Sequence, residues 1–260
     1  MIKIATGFSK CGGSTIALAE LCNLFNSNGL NCDLYGPFDW VKSKLKGDHY
    51  RSLNDMVFTA DDHVIYHFIP IKQRPPCKKL ILSCHETNVF PLKNVNVAYD
   101  TVHYVSKFQM DWQGIPGTII PNILPSIKPK TKKLKNKVAG IIGSIDPHKN
   151  THISIDRALS DNDISRVELW GEISDPIYFA SHVSPRLCRK VSYCGVATDM
   201  QAVYDGLSCV YHSSARETFN YIKAECSLAE IDYFGSTESD PSAEYWTNEK
   251  ILDSWINLLK

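Results

Sequence analysis

Apolar residues along the 260-residue chain fall into short runs that alternate with longer stretches of helical spacing. Residues 2–5 read as a first strand. A glycine- and serine-rich turn then leads into residues 14–26, where Ile16, Leu18, Ala19, Leu21, Cys22 and Phe25 recur on one helical face. Asn28 and Gly29 close that helix in the usual C-terminal way. Further strand-like runs lie at 32–35, 63–68, 79–83 and 101–105. Strand alternating with helix predicts an α/β fold with mostly parallel sheets.

The alternation then breaks. Pro121, Pro125 and Pro129 precede or enter a stretch from Lys128 to Lys137 that holds six lysines in ten residues and no acid. A fresh strand follows at 138–143, and the pattern resumes with strands at 167–170, 190–193 and 208–211. The division expected is residues 1–125, a lysine-rich linker at 126–137, a second domain at 138–245, and a terminal amphipathic helix within 246–260. That helix carries Ile251, Leu252, Trp255, Leu258 and Leu259.

Composition narrows the function. Lysine plus arginine number 28 against 28 acids, which argues against a generic polyanion-coating protein but leaves room for a local basic patch. No uninterrupted apolar run reaches the roughly 18 residues of a spanning helix, and the stretch before Gly7 is too short for a signal peptide. Nine scattered cysteines without a Cys-x-x-Cys pair fit reduced thiols and a cytoplasmic location, and give no anchor for structural zinc.

In open α/β sheets, ligands bind beyond the carboxyl ends of the strands, so the loops there carry the candidate chemistry. The first, residues 7–15, nearly matches a nucleotide-triphosphate loop, but Gly13 stands at the lysine position, which disfavours hydrolysis of a triphosphate. Gly12 and Gly13 still let a ligand approach the backbone at a helix N-terminus; the alternative is a tight turn and nothing more. His85, directly after a strand, is a candidate substrate contact, whereas His63 and His67 share one strand face and read as core or wall. After the strand at 138–143 come Ser144, Asp146, Pro147 and Lys149, the last placed where a helix should begin. The most specific segment runs through Arg216, Glu217, Thr218, Phe219 and Asn220 to Glu225. The helix start around Thr218 to Asn220 offers amides to phosphate, and Glu225, about two turns on, can accept both hydroxyls of a diol. Taken alone, two glutamates eight residues apart are usually a solvated helix face.

Together these residues resemble the retaining glycosyltransferases of family 4, which have the GT-B fold. The likeness follows the family's order: Gly12 and Gly13; Val105 and Ser106; Ile119, Ile120, Pro121 and Asn122; Gly143, Asp146, Pro147, Lys149 and Asn150; Val191 and Gly195; then Glu217 with Glu225 in an E-x7-E motif. The resemblance implies two Rossmann-like domains with mostly parallel sheets facing across a cleft. The N-terminal one would be the acceptor side and the C-terminal one the donor side, with the terminal helix packing back on the first. It also implies transfer with retention from a nucleotide-diphosphate sugar. Lys149 would contact the diphosphate, Glu217 the transferred sugar, Glu225 the ribose, His85 the sugar, and Gly12 and Gly13 the phosphate and acceptor side.

Three departures stand out. Ser144 replaces the family's arginine after the turn glycine, and Arg216 is the candidate substitute. The strand that should follow Glu225 is unrecognisable between Cys226 and Gly235. The chain is also short for the fold, so peripheral helices are expected to be missing. No Asp-x-Asp pair sits in a suitable loop, so no metal or cofactor is expected beyond the nucleotide sugar itself. The acceptor is open. The lysines from Lys128 to Lys137 are either a solvated linker or a strip for a polyanion, such as hydroxymethylated DNA or an anionic membrane surface. A nucleotide-sugar epimerase and a non-catalytic nucleotide-sugar-binding protein are the other readings.

Overall fold

The computed structural model describes residues 1–8, 12–37, 42, 44–69, 73–86, 99–131, 134–235 and 245–260. The readings placed on residues 9–11, 87–88, 132–133 and 236–244 lie outside these described residues. The chain divides into two compact units, the first formed by Met1–Ile123 with the C-terminal stretch from residue 242, the second by Leu124–Pro241.

The first unit contains β1 (Ile2–Thr6), α1 (Gly13–Ser27), β2 (Cys32–Gly36), β3 (Tyr50–Ser52), β4 (His63–His67), β5 (Lys79–Cys84), β6 (Thr101–Tyr104), α2 (Lys107–Gln113) and β7 (Thr118–Ile119). The strands form one parallel seven-stranded sheet in the order β3-β2-β1-β4-β5-β6-β7. The inner strands β1, β2, β4 and β5 are buried along nearly their whole length. That two-sided burial is why they read as continuous apolar runs rather than alternating ones.

The second unit contains β8 (Lys137–Ile142), α3 (Thr151–Ser160), β9 (Ile164–Trp170), the short α4 (Pro176–Tyr178), β10 (Val191–Gly195), α5 (Met200–Gly206), β11 (Cys209–His212), α6 (Tyr221–Ala229) and β12 (Asp232–Gly235). Its parallel sheet runs β10-β9-β8-β11-β12. The strand that was unrecognisable after Glu225 is therefore present as β12. It escaped notice because it is a four-residue edge strand with Asp232 and Phe234 exposed. The stretch read as a linker is anchored in part to this unit: Lys130 N donates to Ala229 O at 3.0 Å, and Lys128 N donates to Gln201 Oε1 at 2.8 Å. Lys130 Nζ also donates to the Leu207 carbonyl, and Lys137 pairs with Asp163 at 2.9 Å.

The last helix, α7 (Asn248–Leu259), belongs to the first unit. Ile251, Trp255 and Leu259 repeat every fourth residue, and all three are buried in the core that includes Ile4, Leu18 and Phe25. Trp255 meets Phe25 edge-on at 6.2 Å. Burying each such side chain contributes about 1.5–3 kcal/mol, which holds the chain terminus against α1.

Candidate active site

Each sheet reverses its strand order once, between β1 and β4 in the first unit and between β8 and β11 in the second. At such a point, the loops leaving adjacent strands turn to opposite faces and open a crevice at the carboxyl edge. In each unit, chemistry-bearing residues lie at or near its own reversal point.

In the second unit, the loop after β11 is stitched to the turn after β8. Ala215 N donates to His148 O at 2.9 Å, His148 Nε2 donates to Arg216 O at 2.7 Å, and Asn150 Nδ2 donates to Ser213 O at 3.2 Å. Asp146 caps the single 3-10 turn Pro147–Lys149 by accepting from Lys149 N. Asn150 then takes a left-handed φ of 48° before α3 begins. Arg157, on α3, braces the far side by donating to Ser213 Oγ at 2.9 Å and to the carbonyls of His212 and Gly235.

These contacts bring together two residues that lie 68 apart in sequence. Lys149 Nζ stands 2.5 Å from Glu217 Oε1, and His212 Nε2 donates to the same oxygen at 2.9 Å. Burial pushes the Glu217 carboxyl up, but the Lys149 charge and the His212 hydrogen bond outweigh it and bring it down to about 2. Glu217 is therefore a carboxylate at neutral pH, unable to donate a proton. Lys149 is one-quarter exposed and already neutralised. An incoming anion can draw it off Glu217, leaving the carboxylate to accept hydroxyl hydrogens.

Glu225, on α6, is held differently. It is 9% exposed, and its Oε2 accepts from the fully buried Tyr204 hydroxyl of α5 at 2.5 Å. Burial pushes its carboxyl up to about 7, against the opposing Tyr204 hydrogen bond.

In the first unit, Gly7 N donates to His67 O at 3.0 Å, which joins the ends of β1 and β4. A side chain at Gly7 would collide with the Phe68 carbonyl, so the close approach requires glycine. Phe68 itself adopts a left-handed φ of 55°, rare for a bulky residue, and packs edge-on against Phe8 at 5.2 Å. His67 joins Thr6 Oγ1 (2.8 Å) to Glu86 Oε2 (2.9 Å). Burial raises the Glu86 carboxyl, but the His67 hydrogen bond and charge and the Ser14 hydroxyl bring it below its ordinary value.

Behind it runs a second chain whose proton positions follow from its end. The Ile120 carbonyl can only accept, so His103 Nε2 donates to it at 2.8 Å. Burial holds the His103 imidazole down at about 4, so it is neutral and its Nδ1 must accept from Ser83 Oγ at 2.8 Å. The Ser83 oxygen then accepts from His85 Nε2 at 3.0 Å. Burial, followed by the neighbouring His67 and His103, keeps the His85 imidazole well below its usual range. His85 is thus neutral, with its proton on Nε2 and its lone pair on Nδ1. Trp255 of α7 closes the chain against His103 at 4.5 Å.

Several of the residues singled out from sequence also have structural partners. Ser144 Oγ donates to Asp146 Oδ2 at 2.6 Å and supplies no cation. Arg216 is fixed through its carbonyl by His148. Phe219 is buried, edge-on to Tyr221 at 4.9 Å. Asn220 caps α6 by accepting from Lys223 N and donates to Tyr233 OH at 2.7 Å, so at least the Lys223 amide is already taken. Thr218 is half-buried beside them. Gly12 N donates to Thr15 Oγ1 at 3.1 Å, while Gly13 opens α1 exposed. The structure adds Glu86, His67, His103, Tyr204, Arg157 and His212. Only His67, Glu86 and His212 carried a signal, each standing at or just past the carboxyl end of its strand. Among the described residues, no group of three or more His, Cys, Asp or Glu is placed to hold a metal ion. No helix among them is long and apolar enough to cross a membrane. The eight described cysteines are free thiols.

No protein-family model matches the sequence, and no curated protein does. Solved structures do. Anabaena HepE, crystallised in complex with UDP-glucose, matches with a TM-score of 0.68 at 14% identity, over 92% of this chain and 80% of that one. WaaG, a glycosyltransferase involved in lipopolysaccharide biosynthesis, matches at TM-score 0.67 and 10% identity, over 100% of this chain and 90% of that one. A glycosyltransferase from Rickettsia africae matches at 0.63 and 14%, over 100% and 90%. The fold is that of the GT-B glycosyltransferases, two Rossmann-like domains with mostly parallel sheets.

Proposed function

We propose that this protein is a glycosyltransferase that moves a sugar from a nucleotide-diphosphate sugar to an acceptor hydroxyl, with retention and without a required metal. The observation that carries the reading is the meeting of Lys149 with Glu217 at the switch point of the second sheet, with Glu225 about one turn into the helix that follows, α6. Lys149 receives the charge that develops on the diphosphate as the glycosyl bond breaks; one preorganised donor of this kind lowers the barrier by about 2.7–4 kcal/mol. Released from Lys149, Glu217 orients the hydroxyls of the transferred sugar. Glu225 accepts from the ribose. The likeness to HepE, caught with UDP-glucose, supports the choice of donor class.

The test is to incubate the protein with UDP-glucose, GDP-mannose and ADP-glucose, alone and with simple glycoside acceptors, and follow nucleoside diphosphate release and product by mass spectrometry. Acceptor-dependent release, absent in Lys149→Ala, is expected. An isomerised donor without release would make the protein an epimerase. Binding without turnover in every combination would make it a non-catalytic binder.

A further inference from the structure

Glu225 sits in an unusual position for a group offered as a ligand to a diol. It is nine-tenths buried, and no cation accompanies it: Tyr204 of α5 is the side chain that hydrogen-bonds it among the described residues. Tyr204 is fully buried, packed in the core cluster with Val210, Leu207 and Cys226. Its hydroxyl donates to Glu225 Oε2 and has no other partner among the described residues. A phenol buried this completely normally spends its hydroxyl on backbone or water. Here it is spent on one oxygen of one carboxylate.

The geometry fixes what that carboxylate can still do. A carboxylate has four lone-pair sites, of which Tyr204 takes one on Oε2. Pinning that oxygen stops rotation about the terminal bond and leaves Oε1, with the remaining site on Oε2, to accept a pair of adjacent hydroxyls. A phosphate would be repelled there; a single hydroxyl would leave an acceptor site unused. We propose that Tyr204 is a positioning residue for Glu225, holding its carboxylate in the orientation in which it meets the two ribose hydroxyls. This rests on the donor reading above, which places the nucleoside at Glu225.

Tyr204 acts also on the charge state. Its hydrogen bond favours the carboxylate, whereas burial favours the acid, and these are the two contributions that set where Glu225 titrates. The groups packed against Glu225 that can titrate are the Tyr204 phenol of α5 and the Cys226 thiol of its own helix, both pushed up by burial and neutral at physiological pH. Diol binding needs two acceptors, so it should weaken as pH falls below neutrality and the carboxyl takes up a proton.

The experiment is calorimetric titration of UDP, GDP and ADP, each beside its 2′-deoxy form, into wild type, Tyr204→Phe and Glu225→Gln between pH 5.5 and 8.5. Wild type should bind the ribo form about tenfold or more tightly than the deoxy form, the size expected of a hydrogen bond to a charged group. Tyr204→Phe should bring that ratio close to one and move the pH midpoint of binding up by about one unit, because it removes a donor that favours the charged form. Glu225→Gln should abolish both the preference and the pH dependence. A carbon-13 titration of the Glu225 carboxyl without nucleotide should show the same upward shift in Tyr204→Phe, independent of any ligand. A Tyr204→Phe protein that melts lower but keeps the ribo/deoxy ratio and both midpoints would overturn the inference and leave Glu225 at the ribose. Equal binding of ribo and deoxy forms by wild type, or no binding, would remove Glu225 from the ribose and bring down the donor assignment with it.

Discussion

Each unit has a polar cluster at or near the reversal point of its parallel sheet, yet the first backs its cluster with two histidines held through neutral hydrogen bonds, while the second sets a cation against a carboxylate. On and after β5 and β6, His103 and His85 are buried, uncharged and chained through Ser83 to a carbonyl. Around β8 and β11, Lys149 and Glu217 neutralise one another at 2.5 Å. A neutral network keeps its shape and its tautomers whether or not a ligand is present. An ion pair with partly exposed members can exchange one partner for another. The first arrangement suits recognition of hydroxyls; the second suits a group whose charge changes during a reaction.

The comparison is broken most directly at Lys149. Lys149→Ala should lower the transfer rate about 100- to 1,000-fold, the loss seen when one transition-state donor is removed, and steady-state kinetics with the best donor will show it. The equivalent cut in the first unit, Ser83→Ala, should leave turnover within about tenfold of wild type. Equal losses at both positions would mean that the histidine chain takes part in proton movement.

The two glutamates separate by pH. Glu217 sits at about 2, so its ion pair stabilises the fold above the ordinary carboxylate value, and that stability is lost as pH falls toward 2. Glu225 is raised to about 7, so the fold prefers its acid form, and stability declines as pH rises from the ordinary value through 7. Removing that charge with Glu225→Gln should therefore stabilise the unliganded protein at pH 8 by about 2–3 kcal/mol, from the size of the shift, and much less at pH 4. Urea midpoints at the two pH values check the sign.

Smaller effects belong to the first unit. Ser83→Ala leaves two buried imidazoles without their shared partner and should cost about 1–3 kcal/mol, with the His85 tautomer shift visible by nitrogen-15 NMR. Gly7→Ala drives a methyl into the Phe68 carbonyl, and the two loops must part at a cost of about 1–2 kcal/mol. Thermal melts should show both losses.

The inner strands were legible in the sequence because a strand buried on both faces leaves an unbroken apolar run. β3, β7 and β12 were not, being three, two and four residues long at or near sheet edges and partly exposed. The site divides in the same way. Lys149, Glu217 and Glu225 stood out through the ordered resemblance to the family-4 motifs; taken alone, a lysine after a strand and two glutamates eight residues apart read as surface. Tyr204 lies inside a helix with nothing in its own neighbourhood to mark it, and meets Glu225 across 21 residues. Arg157 braces Ser213 across 56. Asn220 and Phe219 looked like ligand contacts by position; only the fold shows the first spent on a cap and the second turned inward.

The central claim, that the second unit holds a nucleotide diphosphate through Lys149, is tested by titrating UDP, GDP and ADP calorimetrically into wild type and Lys149→Ala at pH 8. The account predicts one saturable site for at least one of these nucleotides, weakened about tenfold or more when the lysine is removed, the size of a lost hydrogen bond to a charged group. Undiminished affinity in Lys149→Ala, or no binding of any of the three, would contradict it.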